Sequence, residues 1–143
     1  MRFQLIDGVL EVSGADGAGP TRAVAIKHVS AAEEYLADHF PGFPILPGVF
    51  MLEALVQTAR VVAAARDAGG LPWVLGSARA IKYGRFVPPG STLRLEVELV
   101  SSTSEAMEFK GVGLVIDPVH VAGEESATAV SGKFGLRRAR VGR

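Results

Sequence analysis

The chain has 143 residues, of which 48% are hydrophobic and 21% are charged, and its formal net charge is zero. This length and composition predict a single domain, residues 1–143, with a core of its own. Zero net charge gives no electrostatic basis for binding nucleic acid. The absence of cysteine excludes disulfides, thiolate metal ligands and a cysteine nucleophile, and it fits a reducing cytoplasm.

The first part of the chain predicts short strands joined by loops. No long apolar segment marks a secretory signal, and no apolar run approaches the ~18 residues that span a bilayer, so we expect no membrane contact. Residues 3–12 alternate loosely, residues 13–21 are rich in Gly, Asp and Pro and predict a loop, and residues 22–29 predict a strand. Residues 31–37 predict a short helical turn with Ser30 as its N-cap.

A stiff loop and a buried helix follow. Three prolines between His39 and Gly48 fix the backbone and remove amide donors, which excludes regular structure there. Pro47 and Gly48 predict the start of a helix that continues to about Ala65. Because this segment is apolar on nearly every face, it predicts a buried helix.

The remaining chain predicts β-strands. Residues 73–86 favour one long strand with a kink near Gly84, residues 93–99 alternate clearly, and residues 106–116 and 127–134 alternate more weakly. A helix that is apolar all round must be covered, so we predict an α+β architecture in which a largely antiparallel sheet curls around it.

Two residues indicate acid–base chemistry. His39 lies in the stiff loop, and Glu53 follows fourteen residues later inside the apolar helix. Glu53, Gln57 and Arg60 share one face of that helix, which from periodicity alone fits a solvent-facing stripe as well as a site. A lone His39 is also commonly structural. An imidazole, a carboxyl group and the free amides at the helix start near Gly48 nevertheless suit proton removal next to a carbonyl.

The motif His39-Phe-Pro-Gly-x-Pro-x-x-Pro-Gly-Val-x-x-x-Glu53-Ala-x-x-Gln57 closely resembles the signature of bacterial 3-hydroxyacyl-[acyl-carrier-protein] dehydratases, which have the hot-dog fold. Weaker likeness extends to residues 3–11 and 82–97. The resemblance implies a curved antiparallel sheet around one long helix, and a homodimer or an oligomer of dimers. It also implies an active site in which His39 of one protomer faces Glu53 of the other, with no metal and no redox cofactor.

The resemblance further implies roles for individual residues. His39 removes the α-proton and Glu53 protonates the departing 3-hydroxyl, which leaves a trans-2-enoyl thioester. Gly48 polarises the thioester carbonyl and Gln57 holds Glu53, while Phe43 and Val49 join Gly48 and Gln57 among the substrate-binding positions. Relatives that also isomerise the double bond have Asp at position 53, so Glu53 favours plain dehydration. Phe43 departs from the commonest pattern, and we expect it to alter the tunnel entrance or the loop packing.

The substrate arrives on an acyl carrier protein, by the same resemblance. Such carriers are acidic, so docking requires cations, of which we select Lys82, Arg85 and Arg137, with Arg79 and Arg138 as further candidates. Two alternatives share the fold: an acyl-thioesterase that activates water, and a non-catalytic acyl-binding subunit of a synthase. The other histidines, His28 and His120, form no metal-ligand spacing with His39.

Overall fold

A computed structural model describes residues 3–116 and 127–142. One sheet of six strands wraps one long helix, in the strand order β1-β2-β4-β5-β6-β3, and every neighbouring pair is antiparallel. The elements in chain order are β1 (Gly8–Ser13), β2 (Arg22–His28), a 3₁₀ turn (Glu34–Ala37), α1 (Gly48–Arg66), β3 (Trp73–Tyr83), β4 (Thr92–Ser102), β5 (Ala106–Ile116) and β6 (Ala127–Arg138).

The helix α1 begins at Gly48, directly after Pro47, as the Pro-Gly start predicted, and it ends at Arg66, one residue beyond the predicted end near Ala65. Ala54, Leu55, Val56 and Ala59 are completely buried beneath the sheet. By length and composition alone α1 would suffice to cross a bilayer, contrary to the expectation that no segment is long enough. Its central position under all six strands instead makes it the core helix.

Strand β4 supplies the inner face that the alternation predicted. Leu93, Leu95 and Val97 are fully buried against α1, while the intervening side chains are partly exposed. Phe109 of β5 and Phe134 of β6 continue this core and stack with centroids 5.9 Å apart. The predicted α+β architecture is therefore confirmed.

Two predicted elements have different bounds in the structure. The strand expected over residues 73–86 ends at Tyr83, and it contains a register shift between Arg79 and Lys82, where Ala80 adopts a positive φ of 51°. The helical turn expected from Ala31 begins only at Glu34. The prediction that Ser30 is its N-cap is wrong, because the N-cap residue is Glu33, which makes no side-chain capping bond; the Ser30 hydroxyl accepts a hydrogen bond from the amide of Ala32 at 3.1 Å, ahead of the turn.

The loop between β1 and β2 is fixed to the far end of α1. Arg66, whose side chain is only 6% exposed, donates to Asp16 and to the carbonyls of Gly19 and Pro20. The Arg66 guanidinium, followed by the amide of Ala18, holds the pKa of Asp16 below its ordinary value. A segment predicted as a plain loop is thus ordered by one buried cation.

A buried ion pair lies under the start of α1. Lys27, 4% exposed, donates to Glu33 at 2.6 Å. The second Glu33 oxygen and the Tyr35 hydroxyl are also buried, close to each other but without a hydrogen bond of ordinary geometry. Burial, and then the adjacent Glu33 carboxylate, raise the pKa of the Tyr35 hydroxyl well above its ordinary value.

Candidate active site

The loop that holds His39 is closed by its own backbone. Phe40 and Phe43 exchange two backbone hydrogen bonds at 3.0 and 2.9 Å, and Gly42 between them adopts a φ of 75° that favours glycine. The amide of Ile45 donates to the carbonyl of His39 at 3.0 Å. The peptide bond between His39 and Phe40 is cis. The loop is therefore a defined structure, as its prolines predicted.

One hydrogen bond fixes the tautomer of His39. Its Nδ1 lies 3.0 Å from the carbonyl oxygen of Ile45. A carbonyl oxygen can only accept, so Nδ1 must be the protonated nitrogen and must donate. In the neutral ring the lone pair that accepts a proton then lies on Nε2. The ring is further held by stacking on Phe40, with centroids 4.1 Å apart.

His39 lines a cavity of about 280 Å³ at the start of α1. Gly48 and Met51 contribute from the helix, and Tyr83 and Phe86 contribute from the end of β3 and the chain beyond it. The wall is mostly apolar, and its polar groups include the imidazole, the helix start and Arg85. An imidazole and the free amides of a helix start thus share one cavity.

Gly48 fits beside this cavity because it has no side chain. A Cβ atom at this position would lie 2.9 Å from Cε1 of Tyr83, closer than real Cβ contacts allow. The Tyr83 ring therefore packs directly over the first residue of α1. The first amides of a helix have no intrahelical acceptor, so a carbonyl oxygen beside Gly48 would be polarised by them and by the helix dipole.

Glu53 lies on a different face of α1 and is not among the residues that line this cavity. Its Oε1 accepts a hydrogen bond from Nε2 of Gln57 at 3.1 Å and lies 3.6 Å from Nη1 of Arg60. The predicted polar stripe is therefore real, and its three members are joined through one carboxylate oxygen. Within the single chain, His39 and Glu53 do not share one cavity.

The side-chain amide of Gln57 is hydrogen-bonded to the opening segment of the chain. Its Oε1 accepts the amide of Leu5 at 2.8 Å, and its Nε2 donates to the carbonyl of Phe3 at 3.1 Å as well as to Glu53. Phe3 in turn packs edge-on against Phe50 of α1. The orientation of the Gln57 amide is therefore set by backbone groups 52 and 54 residues away, which no local pattern reveals.

Phe43 and Val49 lie at the exposed side of the His39 cavity. Phe43 is 54% exposed and packs edge-to-face on Phe86, which lines the cavity, with centroids 5.6 Å apart. Val49 is 66% exposed and follows Gly48 on the helix. Neither side chain lines the cavity itself. Phe43 thus forms an aromatic pair with Phe86 at the rim of the cavity. This particular contact was not predicted from the sequence.

The predicted docking cations fall into two groups. Arg85 lines the His39 cavity and Lys82 precedes it at the end of β3. Arg137 pairs with Val74 at the other end of β3, six residues along β6 from the partner of Lys82, or about 20 Å away. Arg79 is paired with Glu108 at 3.0 Å, and Arg138 lies over the Trp73 ring and pairs with Asp67. The structure therefore does not gather these five residues into one patch.

A metal site is not found among the residues that the structure describes, because no three His, Asp or Glu side chains cluster there. His28 is exposed and its Nδ1 lies 2.8 Å from the Thr92 hydroxyl. His120 lies outside the described residues. The residues that sequence reasoning missed at the site are Tyr83, which covers Gly48, and Ile45, which fixes His39.

A single long helix inside a curved antiparallel sheet, with a histidine loop at the helix start, defines a hot-dog protein. The family model described as a FabA-like domain matches residues 1–123. The chain is 37% identical to 3-hydroxyacyl-[acyl-carrier-protein] dehydratase FabZ of Bacillus pumilus, over 79% of this chain and 76% of that protein. It is 36% identical to FabZ of Pelotomaculum thermopropionicum, over 94% of this chain and 89% of that one.

The fold is also similar to that of a solved structure. The dehydratase heterocomplex ApeI:P from Xenorhabdus doucetiae superposes with a TM-score of 0.71 at 18% identity, covering 96% of this chain and 84% of that one. At this identity the likeness establishes the hot-dog fold alone. With the family match and the two relatives, it confirms the predicted resemblance: the chain belongs to the FabA-like dehydratase family.

Proposed function

We propose that this protein dehydrates 3-hydroxyacyl thioesters, attached to an acyl carrier protein, to trans-2-enoyl thioesters in the biosynthesis of fatty acids or related acyl chains. The observation that supports this most directly is the hydrogen bond from His39 Nδ1 to the Ile45 carbonyl. It leaves Nε2 as the basic nitrogen in a largely apolar cavity next to the helix start. Nothing in the structure favours the hydrolase or the non-catalytic alternative.

The reaction divides between two residues. Nε2 of His39 takes a proton from C2 of the acyl chain, while the thioester oxygen lies against the first amides of α1 at Gly48. Glu53 gives its proton to the 3-hydroxyl, which leaves from C3 as water as the C2–C3 double bond forms. The imidazolium then returns a proton to the carboxylate, through solvent or the next substrate, and the enzyme is restored.

We propose that the site is completed by a second copy of the chain. Within one chain Glu53 does not line the cavity of His39, so in this proposal the carboxyl group that serves His39 comes from the partner. Strand β3 supports such pairing, because it is an edge strand of 11 residues with the exposed apolar side chain Leu75. A long edge strand is a ready template for another strand. A cytoplasmic location belongs to the same proposal.

The test is an assay with a 3-hydroxyacyl thioester on acyl carrier protein, followed by enoyl absorbance. His39→Ala and Glu53→Gln should each lose at least ~10²–10⁴-fold in kcat while circular dichroism shows an unchanged fold. A matched control is His28→Ala, an exposed histidine on β2 that should keep full activity. Free thiol release without enoyl product would indicate hydrolysis instead, and unchanged turnover in His39→Ala would refute the mechanism.

A further inference from the structure

Arg60 is the member of the α1 stripe that the proposed reaction does not yet use. Its Nε donates to the carbonyl oxygen of Trp73 at 3.0 Å, where α1 faces the first residue of β3. Its Nη1 lies 3.6 Å from Oε1 of Glu53, two helical turns earlier. One end of the guanidinium is therefore fixed by the backbone of the sheet, and the other faces the carboxylate.

The contact is specific to one oxygen of Glu53. Gln57 and Arg60 both act on Oε1. In the described part of the chain no hydrogen bond to Oε2 is found, so this oxygen is left for a group outside the chain. The hydrogen bond from Gln57 fixes the position of Oε1, and the Arg60 guanidinium attracts the same oxygen electrostatically from 3.6 Å, so the two together restrict the carboxyl group more than either does alone.

A contribution to folding stability does not explain the ion pair between Arg60 and Glu53. The side chains of Arg60 and Glu53 are 39% and 30% exposed in the chain. Ion pairs of this exposure contribute little to folding because solvent screens them. A guanidinium that is anchored to the sheet and directed at a proposed catalytic carboxyl group is better explained by what it does to that group.

We propose that Arg60 is a positioning residue that, together with Gln57, holds Oε1 of Glu53 and presents Oε2 to the 3-hydroxyl of the substrate. This inference rests on the proposed dehydratase function. It assigns to Arg60 an effect on the chemical step and not on substrate binding, because the guanidinium reaches the substrate only through Glu53.

The experiment compares Arg60→Ala, Arg60→Lys and the wild type in dehydration of a carrier-free 3-hydroxybutyryl pantetheine thioester. Arg60→Ala should lower kcat roughly tenfold to a hundredfold, as displacement of a catalytic group by about 1 Å does, and should leave KM within about twofold. Arg60→Lys should recover part of kcat, because its ammonium reaches the carboxylate but lacks the planar fork that bonds Trp73 at the same time. Millimolar guanidinium should also raise the kcat of Arg60→Ala.

Arg94→Ala is the matched control. Arg94 is paired with Glu96 at 2.8 Å on β4, outside the contacts of His39 and Glu53, and its loss should change neither kcat nor the response to guanidinium. Thermal unfolding of each variant identifies a purely structural effect. A lower Tm in Arg60→Ala with wild-type kcat, or a loss confined to KM, would overturn the positioning role.

The two proposals fail in distinguishable ways. If the wild type forms no enoyl product from any 3-hydroxyacyl thioester, the dehydratase function itself is wrong. If His39→Ala abolishes the reaction while Arg60→Ala retains full kcat, the dehydratase function stands and only the role of Arg60 is lost. A Gln57→Ala, Arg60→Ala double variant adds a check, because two residues holding the same oxygen should have non-additive effects on kcat.

Discussion

His39 and Ile45 are bonded to each other twice, once through the ring and once through the backbone. The Nδ1–H of His39 donates to the Ile45 carbonyl at 3.0 Å, and the Ile45 amide donates to the His39 carbonyl at the same distance. The imidazole and the loop are therefore one unit. The sequence distance of six residues is closed by the turn of Phe40 to Phe43, so that ring orientation and loop shape are set together.

This relationship predicts the tautomer of His39 in solution. In the neutral ring the proton should remain on Nδ1, because the carbonyl of Ile45 offers only an acceptor. Two-bond ¹H–¹⁵N correlation spectra of ¹⁵N-labelled protein should show Nδ1 protonated and Nε2 bare, the minor form of free histidine. The exposed His28 in the same spectrum serves as an internal comparison. A neutral His39 with its proton on Nε2 would contradict the assignment of the base.

The shared site predicts complementation between inactive variants. If His39 of one chain serves Glu53 of its partner, mixing inactive His39→Ala with inactive Glu53→Gln forms mixed dimers that contain one intact site. After subunit exchange, random pairing should restore about one quarter of wild-type activity, because half of the dimers are mixed and each has one of two sites. Each variant incubated alone is the control. No recovery after proven exchange would place both residues of a site in one chain.

Substitution of Gly48 by alanine should lower activity without lowering stability. In Gly48→Ala the new Cβ would meet Cε1 of Tyr83 at 2.9 Å. Tyr83 is 49% exposed, so its ring can move aside, and the free energy of unfolding should change by less than about 1 kcal/mol. The displaced ring enters the cavity, so kcat/KM should fall at least about tenfold. Adding Tyr83→Ser should restore part of kcat/KM, and a failure of this rescue would mean that the ring does not mediate the effect.

Tyr35 predicts how stability depends on alkaline pH. The pKa of its hydroxyl is raised in the folded chain by burial and then by Glu33, so the native state keeps a proton that the unfolded chain releases. The free energy of unfolding should therefore fall as pH rises above about 10, the ordinary value for tyrosine. Tyr35→Phe removes this ionisation and keeps the ring contact with Phe50, so urea titrations should show a shallower alkaline loss. Equal slopes for both proteins would mean that a group other than the Tyr35 hydroxyl causes the alkaline loss.

The division of the cations predicts which end of β3 receives the carrier protein. We expect Lys82→Glu to raise KM for a carrier-linked substrate about tenfold, by placing an acidic group at the His39 cavity where an acidic partner docks. KM for a pantetheine thioester should not change. Arg137→Glu, at the opposite end of the strand, is the matched comparison. A larger effect from Arg137 than from Lys82 would move the docking surface to that end.

The sequence was sufficient for the parts of the structure that depend on local pattern. The alternation of Leu93, Leu95 and Val97, the Pro47-Gly48 helix start and the spacing of His39 and Glu53 each predicted an element or a motif that the structure or the family comparison confirms. These features depend on residues that are close along the chain, where periodicity and backbone restriction act directly.

Contacts between distant segments were not predictable in the same way. Gln57 is held by backbone groups of Phe3 and Leu5, and Arg60 by the backbone carbonyl of Trp73. Every residue has such backbone groups, so the sequence does not indicate which of them make these contacts. The register shift inside β3, between Arg79 and Lys82, is defined only by the pairing of this strand with β6. The separation of Lys82 from Arg137 follows from that pairing as well.

Under the proposed function, the hydrogen bonds of Gln57 also link the segment of Phe3 and Leu5 to the proposed proton donor, Glu53. Phe3 and Leu5 present their main chain to the amide that steadies Glu53. Loss of these two residues would remove the backbone groups that orient the Gln57 amide and, with Leu5, a buried side chain of the core.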